Sequence, residues 1–403
     1  MTTVDRGIEP SDERRTMTVA SGAHALHDGY TDLIYVMLPV WQAEFGLSYA
    51  ALGALRGLFA GAMAGLQIPA ANLSERYGAA LVLAAGTALT GLGYCLAGLS
   101  GGFAALLAAL LIGGIGSSTQ HPIASTLVAR AFSGPRSLKA LGGYNFAGDI
   151  GKMTVPALAA LMMTIMPWRP TVIAFGAAGV VAAVLILVLT PRLGAAKFVT
   201  KSDDDRVTAT VSPVPRHAFP TLLSIGVIDS ATRMGFLTFL PFILAGKGAS
   251  LAATGVALTL VFAGGAVGKL ICAFIGARIG VIKTVLLTEI LTLILIFAML
   301  PLTLEATFVV LPVLGVMLNG TSSVLYGSVP DLVTPQRQAQ AFGQFYTGTI
   351  GAGAIAPILY GFVGDAIGLN AGVAVVAAIA VLTLPLALAL RRTFAQLQSP
   401  TTA

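Results

Sequence analysis

The sequence predicts an all-α polytopic membrane protein: twelve transmembrane helices in two pseudo-symmetric six-helix bundles. Three observations carry this. The composition suits a bilayer better than water. Apolar runs of membrane-spanning length recur along the whole chain. Landmarks of the first half return in the second at a nearly constant offset.

Of the 403 residues, 56% are hydrophobic and 10% charged, whereas a soluble domain carries about 25% charged residues. A water-soluble chain this apolar would lack the polar surface to cover itself, and a bilayer removes that need. The 47 glycines suit helices that pack closely within a membrane. The net charge of +6 does not point to nucleic acid, because the basic residues are spread among short loops rather than gathered in a patch. Cys95 and Cys272 lie inside apolar runs and form no disulfide framework or metal motif. The polar first residues, with Asp5, Arg6, Glu9, Asp12, Glu13, Arg14 and Arg15, lack the apolar core and cleavage site of a signal peptide. They read as a disordered cytoplasmic tail.

A span needs roughly 20 mostly apolar residues. Such runs fall at 18–41, 48–71, 79–99, 103–129, 138–164 and 169–190, then at 218–245, 251–276, 282–301, 305–330, 339–364 and 369–390. The division expected is a tail over 1–17, an N-terminal bundle over 18–190, a linker over 191–217, a C-terminal bundle over 218–391 and a tail over 392–403. The linker holds Lys201, Asp203, Asp204, Asp205, Arg206, Pro213, Pro215 and Arg216, a flexible composition. With the N-terminus inside, 17 basic residues fall on cytoplasmic segments and two, Arg169 and Lys247, on external ones. That bias puts both termini and the linker on the cytoplasmic side of the inner membrane.

A shift of 201 residues places Asp28 on Asp229, Asp32 on Arg233, Gly142 on Gly343 and Pro156 on Pro357. Close to that shift, Leu38-Pro39 matches Leu240-Pro241, and Glu75-Arg76-Tyr77-Gly78 matches Ala277-Arg278-Ile279-Gly280. Two duplicated halves around a central cavity, rocking against each other with substrate near the midplane, follow from such a repeat.

Ionisable side chains inside a span are costly, which makes them functional candidates. In the first span His24, Asp28 and Asp32 stand at i, i+4 and i+8, on one face. Asp28, Asp32 and Asp149 are the candidate proton-coupling acids, since nearby buried carboxylates raise one another's proton affinity. Asp28, with no basic counterpart in the repeat, is the acid expected to protonate first. Any of these acids can instead pin a neighbouring helix through an ion pair. In the fifth span Asn145, Asp149 and Lys152 share a face, with Asp149 and Lys152 spaced to pair within the helix. Tyr346 is the repeat counterpart of Asn145.

The candidate substrate-binding set is His24, Arg56, His121, Asn145, Lys152, Asp229, Arg233 and Tyr346. An inward guanidinium at Arg233 suits a carboxylate or phosphonate, which its planar fork binds in two places. Arg56 and Lys269 face the cavity or snorkel to an interface. Glu289 has no assigned role. Pro122 removes a backbone hydrogen bond and breaks the fourth span beside His121, whose imidazole lines the pathway or is satisfied by Ser117 or Ser118. His24, His27 and Asp28 are ligand types that suit a transition metal, yet no second His/Cys cluster is evident in sequence, so no metal is expected. No nucleotide-binding loop, Ser/His/Asp arrangement or metal-hydrolase motif is present, so neither an enzyme nor an ATP-driven pump is expected. No cofactor is called for. The expected partners are a small-molecule substrate, protons and membrane lipids, with no nucleic acid, and the chain acts as a monomer.

The six-plus-six arrangement with a cytoplasmic middle loop resembles the major facilitator superfamily. The segment after the second span, Ala71-Asn72-Leu73-Ser74-Glu75-Arg76-Tyr77-Gly78, keeps the acid, Arg and Gly of that family's loop motif, which implies a gating role for Glu75, Arg76 and Gly78. Within the superfamily the chain looks most like the fosmidomycin-resistance-type exporters. His24-Ala25-Leu26-His27-Asp28 with Leu38-Pro39, and Gly114-Ile115-Gly116-Ser117-Ser118-Thr119-Gln120-His121-Pro122, carry that resemblance. Where that family has an uncharged stretch, this chain has Asn145 to Pro156 with Asp149 and Lys152 added. The resemblance implies proton-coupled export of a small polar or anionic solute by antiport and alternating access. The alternative is proton-coupled uptake of an organic anion, and a further one is a membrane sensor that does not transport.

Overall fold

Apolar runs of this length fold as helices, even where Val, Ile and Thr are frequent, because in hydrocarbon every backbone N–H and C=O must be satisfied within the segment. The computed structural model describes residues 10–132, 135–190, 215–334 and 337–398. Its helices are α1 (Pro10–Phe45), α2 (Tyr49–Gly65), α3 (Gln67–Tyr77), α4 (Ala79–Gly98), α5 (Phe103–Ser117), α6 (Gln120–Ala131), α7 (Pro135–Met162) and α8 (Trp168–Leu189). The second half contributes α9 (Ala218–Gly246), α10 (Leu251–Ile279), α11 (Val281–Met299), α12 (Leu304–Gly327), α13 (Gln338–Ile367), α14 (Leu369–Ile379) and α15 (Thr383–Gln398). No strand occurs among the described residues.

Among the described residues, nine spans are apolar and long enough to cross a membrane, and α2 with α3, bent by 45°, makes a tenth. Helices α1 and α7, which also carry mid-span charges, complete twelve. Proline sets the breaks. Pro69 has no N–H for the Gly65 carbonyl, and α2 gives way to α3 at Leu66. Pro122 leaves the Ser118 carbonyl free, and α5 gives way to α6 at Ser118 and Thr119.

Two expected boundaries shift. Helix α1 begins at Pro10, so residues 10–17, expected as tail, are helical. Pro10 suits a first helical position, Asp12 and Glu13 complement the helix N-terminus, and Glu13 accepts a hydrogen bond from Arg136 at 2.6 Å. Helix α15 likewise continues to Gln398, past residue 392. Most of the expected linker, 191–214, lies outside the described residues, as do 1–9 and 399–403.

The repeat is visible in the backbone. Gly46 (φ 63°) and Gly248 (φ 84°) end the first helix of each half. Ser48 and Ser250 then cap the next helices, each side chain accepting a hydrogen bond from an N–H three residues on at 3.2 Å. Pro156 and Pro357 lie inside α7 and α13.

Close backbone contact holds the bundles together. A Cβ at Gly151 of α7 would lie 1.8 Å from the Ala25 carbonyl oxygen of α1, and one at Gly57 of α2 would lie 2.3 Å from the Ala354 oxygen of α13. Only glycine permits such approaches, which van der Waals packing in a membrane exploits. Tyr30, Tyr35, Trp41, Phe59 and Tyr94 are buried in the core, while Leu185, Val188, Leu270 and Phe274 are exposed on the flanks, as lipid-facing positions require.

The halves are joined from mid-span to the end that carries the turns at 46–48 and 248–250. Asp365 of α13 accepts hydrogen bonds from the Tyr49 and Ala50 N–H groups of α2 at 2.7 and 3.0 Å. Tyr49 packs on Phe239 and Phe242 of α9. Thr259 of α10 donates to the Met153 carbonyl of α7 at 2.7 Å. That end of the molecule is closed.

Candidate functional site

Three helices of the first half build one polar cluster. The α1 face carries His24, His27 and Asp28. The break before α6 brings His121 against them, and α7 closes the cluster with Tyr144 and Lys152. Lys152 Nζ lies 3.2 Å from Asp28 Oδ2. His24 Nε2 and His27 Nε2 lie 3.4 and 3.9 Å from Asp28 Oδ1. The His121 ring meets those of His24 and His27 edge-on, with centroids 5.3 and 4.8 Å apart. Ser117 pairs with Thr90 at 3.2 Å and Ser118 donates to the Ile115 carbonyl at 2.7 Å, so neither satisfies His121. Two separate sequence motifs, around His24 and around His121, meet here.

Two sequence expectations are corrected. Asp28 has a positive partner after all, Lys152, because the Lys152 side chain crosses to α1. Asp149 and Lys152 therefore do not pair along α7. Asp149 faces the other half, where Lys269 of α10 binds both its oxygens at 2.6 and 2.9 Å. Helix α7 sits between α1 and α10, so residues three apart point at different neighbours. Lys269 is a bridge between the halves, which sequence alone left between cavity and interface.

Asp32 lies at the centre. It has no ion-pair partner within 4.0 Å among the described residues, and the charges around it are Lys152, Arg56, Asp28 and Arg233. Arg56 does not snorkel: it is 4% exposed, lies 5.2 Å from the Tyr35 ring centre and reaches Met234 Sδ of α9 at 4.0 Å. Tyr35 donates to the same sulfur at 3.3 Å. The Nε and one terminal nitrogen of Arg56, and the Nε of Arg233, are buried without a hydrogen-bond partner. Buried unspent donors carry a desolvation cost that an acceptor would relieve.

In the second half Arg233 lies 3.9 Å from Asp229 and 3.3 Å from Ser322 Oγ, not in an ion pair with Asp32. Glu289 of α11, unassigned from sequence, is 2% exposed. Its carboxyl neighbours that of Asp229 and accepts from Thr383 of α15 at 3.5 Å. Two neighbouring buried carboxyl groups favour sharing one proton over carrying two charges. With that proton, the acids Asp28, Asp32, Asp149, Asp229 and Glu289 balance Arg56, Lys152, Arg233 and Lys269. The Glu289 partnership had no sequence signal, since it joins helices distant in sequence.

Other predicted residues stand apart. Asn145 is exposed one turn before Asp149. Tyr346 is 51% exposed and packs edge-on against Tyr326 at 5.1 Å, with none of the mid-span charges among its ring contacts. Glu75, Arg76 and Gly78 are exposed at the end opposite the closed one, with Arg76 5.3 Å from the Tyr77 ring centre. A cleft of about 500 Å³ at the closed end, between Pro39, Val40 and Glu44 on one side and Pro241 and Ala245 on the other, contains none of the mid-span charges.

Twelve spans in two like halves, sealed at one end and lined at mid-depth by buried charges from both halves, make a membrane transporter. The chain belongs to the Major Facilitator Superfamily, whose sequence profile matches residues 21–221 and again 222–402. It is similar to the fosmidomycin resistance protein of Escherichia coli K12, with 28% identity over 353 residues covering 85% of this chain and 84% of that protein. A probable L-galactonate transporter of the same organism is 29% identical over 143 residues, 36% of this chain and 32% of that one. Among solved structures, a bacterial homologue of the human lysosomal transporter Spinster, inward-facing and occupied, superposes with a TM-score of 0.81 at 15% identity, covering 98% of this chain and all of that one. The nucleoside transporter NupG gives 0.71 at 16% identity, covering 96% of this chain and 100% of that one. These structural likenesses establish the fold. Its relatives are transporters, not enzymes.

Proposed function

We propose that this chain is a proton-coupled secondary transporter of a small organic anion, working by alternating access in the inner membrane with both termini cytoplasmic. One observation carries the reading: Arg56 and Arg233, from opposite halves, keep buried, unspent donor atoms beside Asp32. A carboxylate or phosphonate between them would accept those hydrogen bonds and draw the halves together. Asp32 is the coupling acid. As a carboxylate it repels an anion placed between the guanidiniums, and a proton on it removes that repulsion. Proton and anion then bind cooperatively, and the charge set is neutral both empty and with the two bound together. Neutrality in both states favours crossing in company, which makes proton–anion cotransport the reading that the geometry supports best. Asp28 and Asp149, each held by a lysine, serve the rocking of the halves.

A second reading, export by antiport, rests on the likeness to the fosmidomycin resistance protein. Fosmidomycin, a phosphonate, is therefore the first solute to test. The experiment is binding of a panel of carboxylates and phosphonates to purified protein at several pH values. Arg56→Ala and Arg233→Ala should each lose binding, and Asp32→Asn should keep it while losing its pH dependence. Undiminished binding by both arginine variants would reject the site.

A further inference from the structure

The chain contains four histidines, and three of them converge inside the N-terminal bundle. His24, Asp28 and His121 each offer a ligand atom within 4.8 Å of the others. The His27 ring lies 4.8 Å from that of His121 and 6.5 Å from that of His24. His24 Nδ1 is 2.9 Å from the Tyr144 carbonyl oxygen. A carbonyl only accepts, so Nδ1 carries the hydrogen, and in the neutral ring Nε2 keeps a bare lone pair facing Asp28. Such a hydrogen bond from the far nitrogen is how metal-ligating histidines are oriented. The Nε2 atoms of His24 and His27 are both buried with no hydrogen-bond partner, an arrangement buried polar groups rarely show without a reason.

The surroundings hold these rings in place. Tyr144 stacks on His24 at 4.1 Å between centroids. A Cβ at Gly148 would lie 2.6 Å from Asp28 Oδ2 and 2.8 Å from His24 Cε1, so α7 backs the cluster as closely as a backbone can. Lys152 is the one opposing feature, with its ammonium on Asp28 Oδ2. Its charge environment also includes Asp32 and Asp149, which can receive it when it leaves Asp28. The Lys152 side chain is 31% exposed and His121 is half-buried, which gives an entry path on that side.

We propose that His24, His27, Asp28 and His121 form a binding site for one divalent ion of the zinc, nickel and cobalt class, with Lys152 as the internal cation that the metal displaces. Imidazole nitrogens with a single carboxylate select such borderline ions over magnesium or calcium. The site shares no residue with the Arg56–Arg233 pair or with Asp32.

The test uses the full chain, purified without a histidine tag, and measures zinc retained through dialysis and the visible spectrum of bound cobalt(II). One equivalent is expected, with a nitrogen-rich cobalt spectrum, and magnesium should not compete. His24→Asn and His121→Asn should each weaken binding by about tenfold or more. His217→Asn, an exposed position before α9, should leave it unchanged. Lys152→Met should bind more tightly. Each variant is first checked for a monodisperse elution profile, and His24→Gln with His121→Gln, closer in size, repeats the comparison where the asparagine variants fail that check. No retained metal, or retention undiminished by changes at both His24 and His121, would overturn the site. Binding no tighter in Lys152→Met would overturn the displacement.

Discussion

Asp365 holds the two halves together at the closed end, and removing it gives a measurable shift. It accepts the first two N–H groups of α2 at 2.7 and 3.0 Å, groups that have no partner within their own helix. A hydrogen bond to a charged group contributes about 1.5–3 kcal/mol. Asp365 is exposed and the freed N–H groups meet water, so solvent screening reduces the pair to about 2 kcal/mol in total. At about 1.4 kcal/mol per tenfold, Asp365→Ala should lower the ratio of closed to open states by roughly 30-fold. Asp365→Asn keeps an acceptor and should lower it less. The assay is pulsed electron resonance between spin labels at Gly101 and Glu305, which lie in opposite halves at the closed end, with Cys95 and Cys272 replaced. Gly101 accepts a side chain without meeting any atom within 4 Å. A long-distance population should grow in Asp365→Ala. Identical distance distributions in wild type and Asp365→Ala would refute the assignment of this contact as a latch.

Three further outcomes follow from the packing and the charges. Asp149→Asn and Lys269→Gln should each slow transport, and the exchange Asp149→Lys with Lys269→Asp should recover part of it; an exchange worse than both singles would contradict a pairing between halves. Gly151→Val forces a side chain onto the Ala25 carbonyl and should destabilise the N-terminal bundle by about 3 kcal/mol, read as a lowered melting temperature in detergent. Glu289→Leu leaves Asp229 without its carboxyl partner and should cost about 1–3 kcal/mol, whereas Glu289→Gln can still donate to Asp229 and should melt close to wild type; equal losses in the two would deny the shared proton.

Much of the architecture was legible because hydrocarbon imposes a single rule. Runs such as 169–190 and 251–276 are helices because their length and apolarity permit nothing else in a bilayer. The repeat also surfaced, through Asp28 with Asp229 and Pro156 with Pro357, since prolines and buried charges stand out against an apolar background. Helix ends were harder: charges complementary to the N-terminus extend α1 back to Pro10, where polarity alone suggests a tail. The site residues were found as a set, but their partners were not. Helical spacing alone pairs Asp149 with Lys152, because it cannot report which neighbour a side chain crosses to. The meeting of His121 with His24, and of Glu289 with Asp229, depends on the order of helices around the bundle, which periodicity does not encode. Asp365 gave no signal, being an ordinary acid at a helix end until the opposite half is placed beside it.

In the proposed cycle a proton on Asp32 and an anion between Arg56 and Arg233 move together. Proteoliposomes containing the purified chain and a trapped pH indicator test it most directly. The solute that binds best is added outside at equal internal and external pH. The lumen should acidify as solute enters, and Asp32→Asn should abolish the acidification while bound solute is still detected. Alkalinisation of the lumen on solute entry, the sign of antiport, or solute entry with no proton movement, would contradict it.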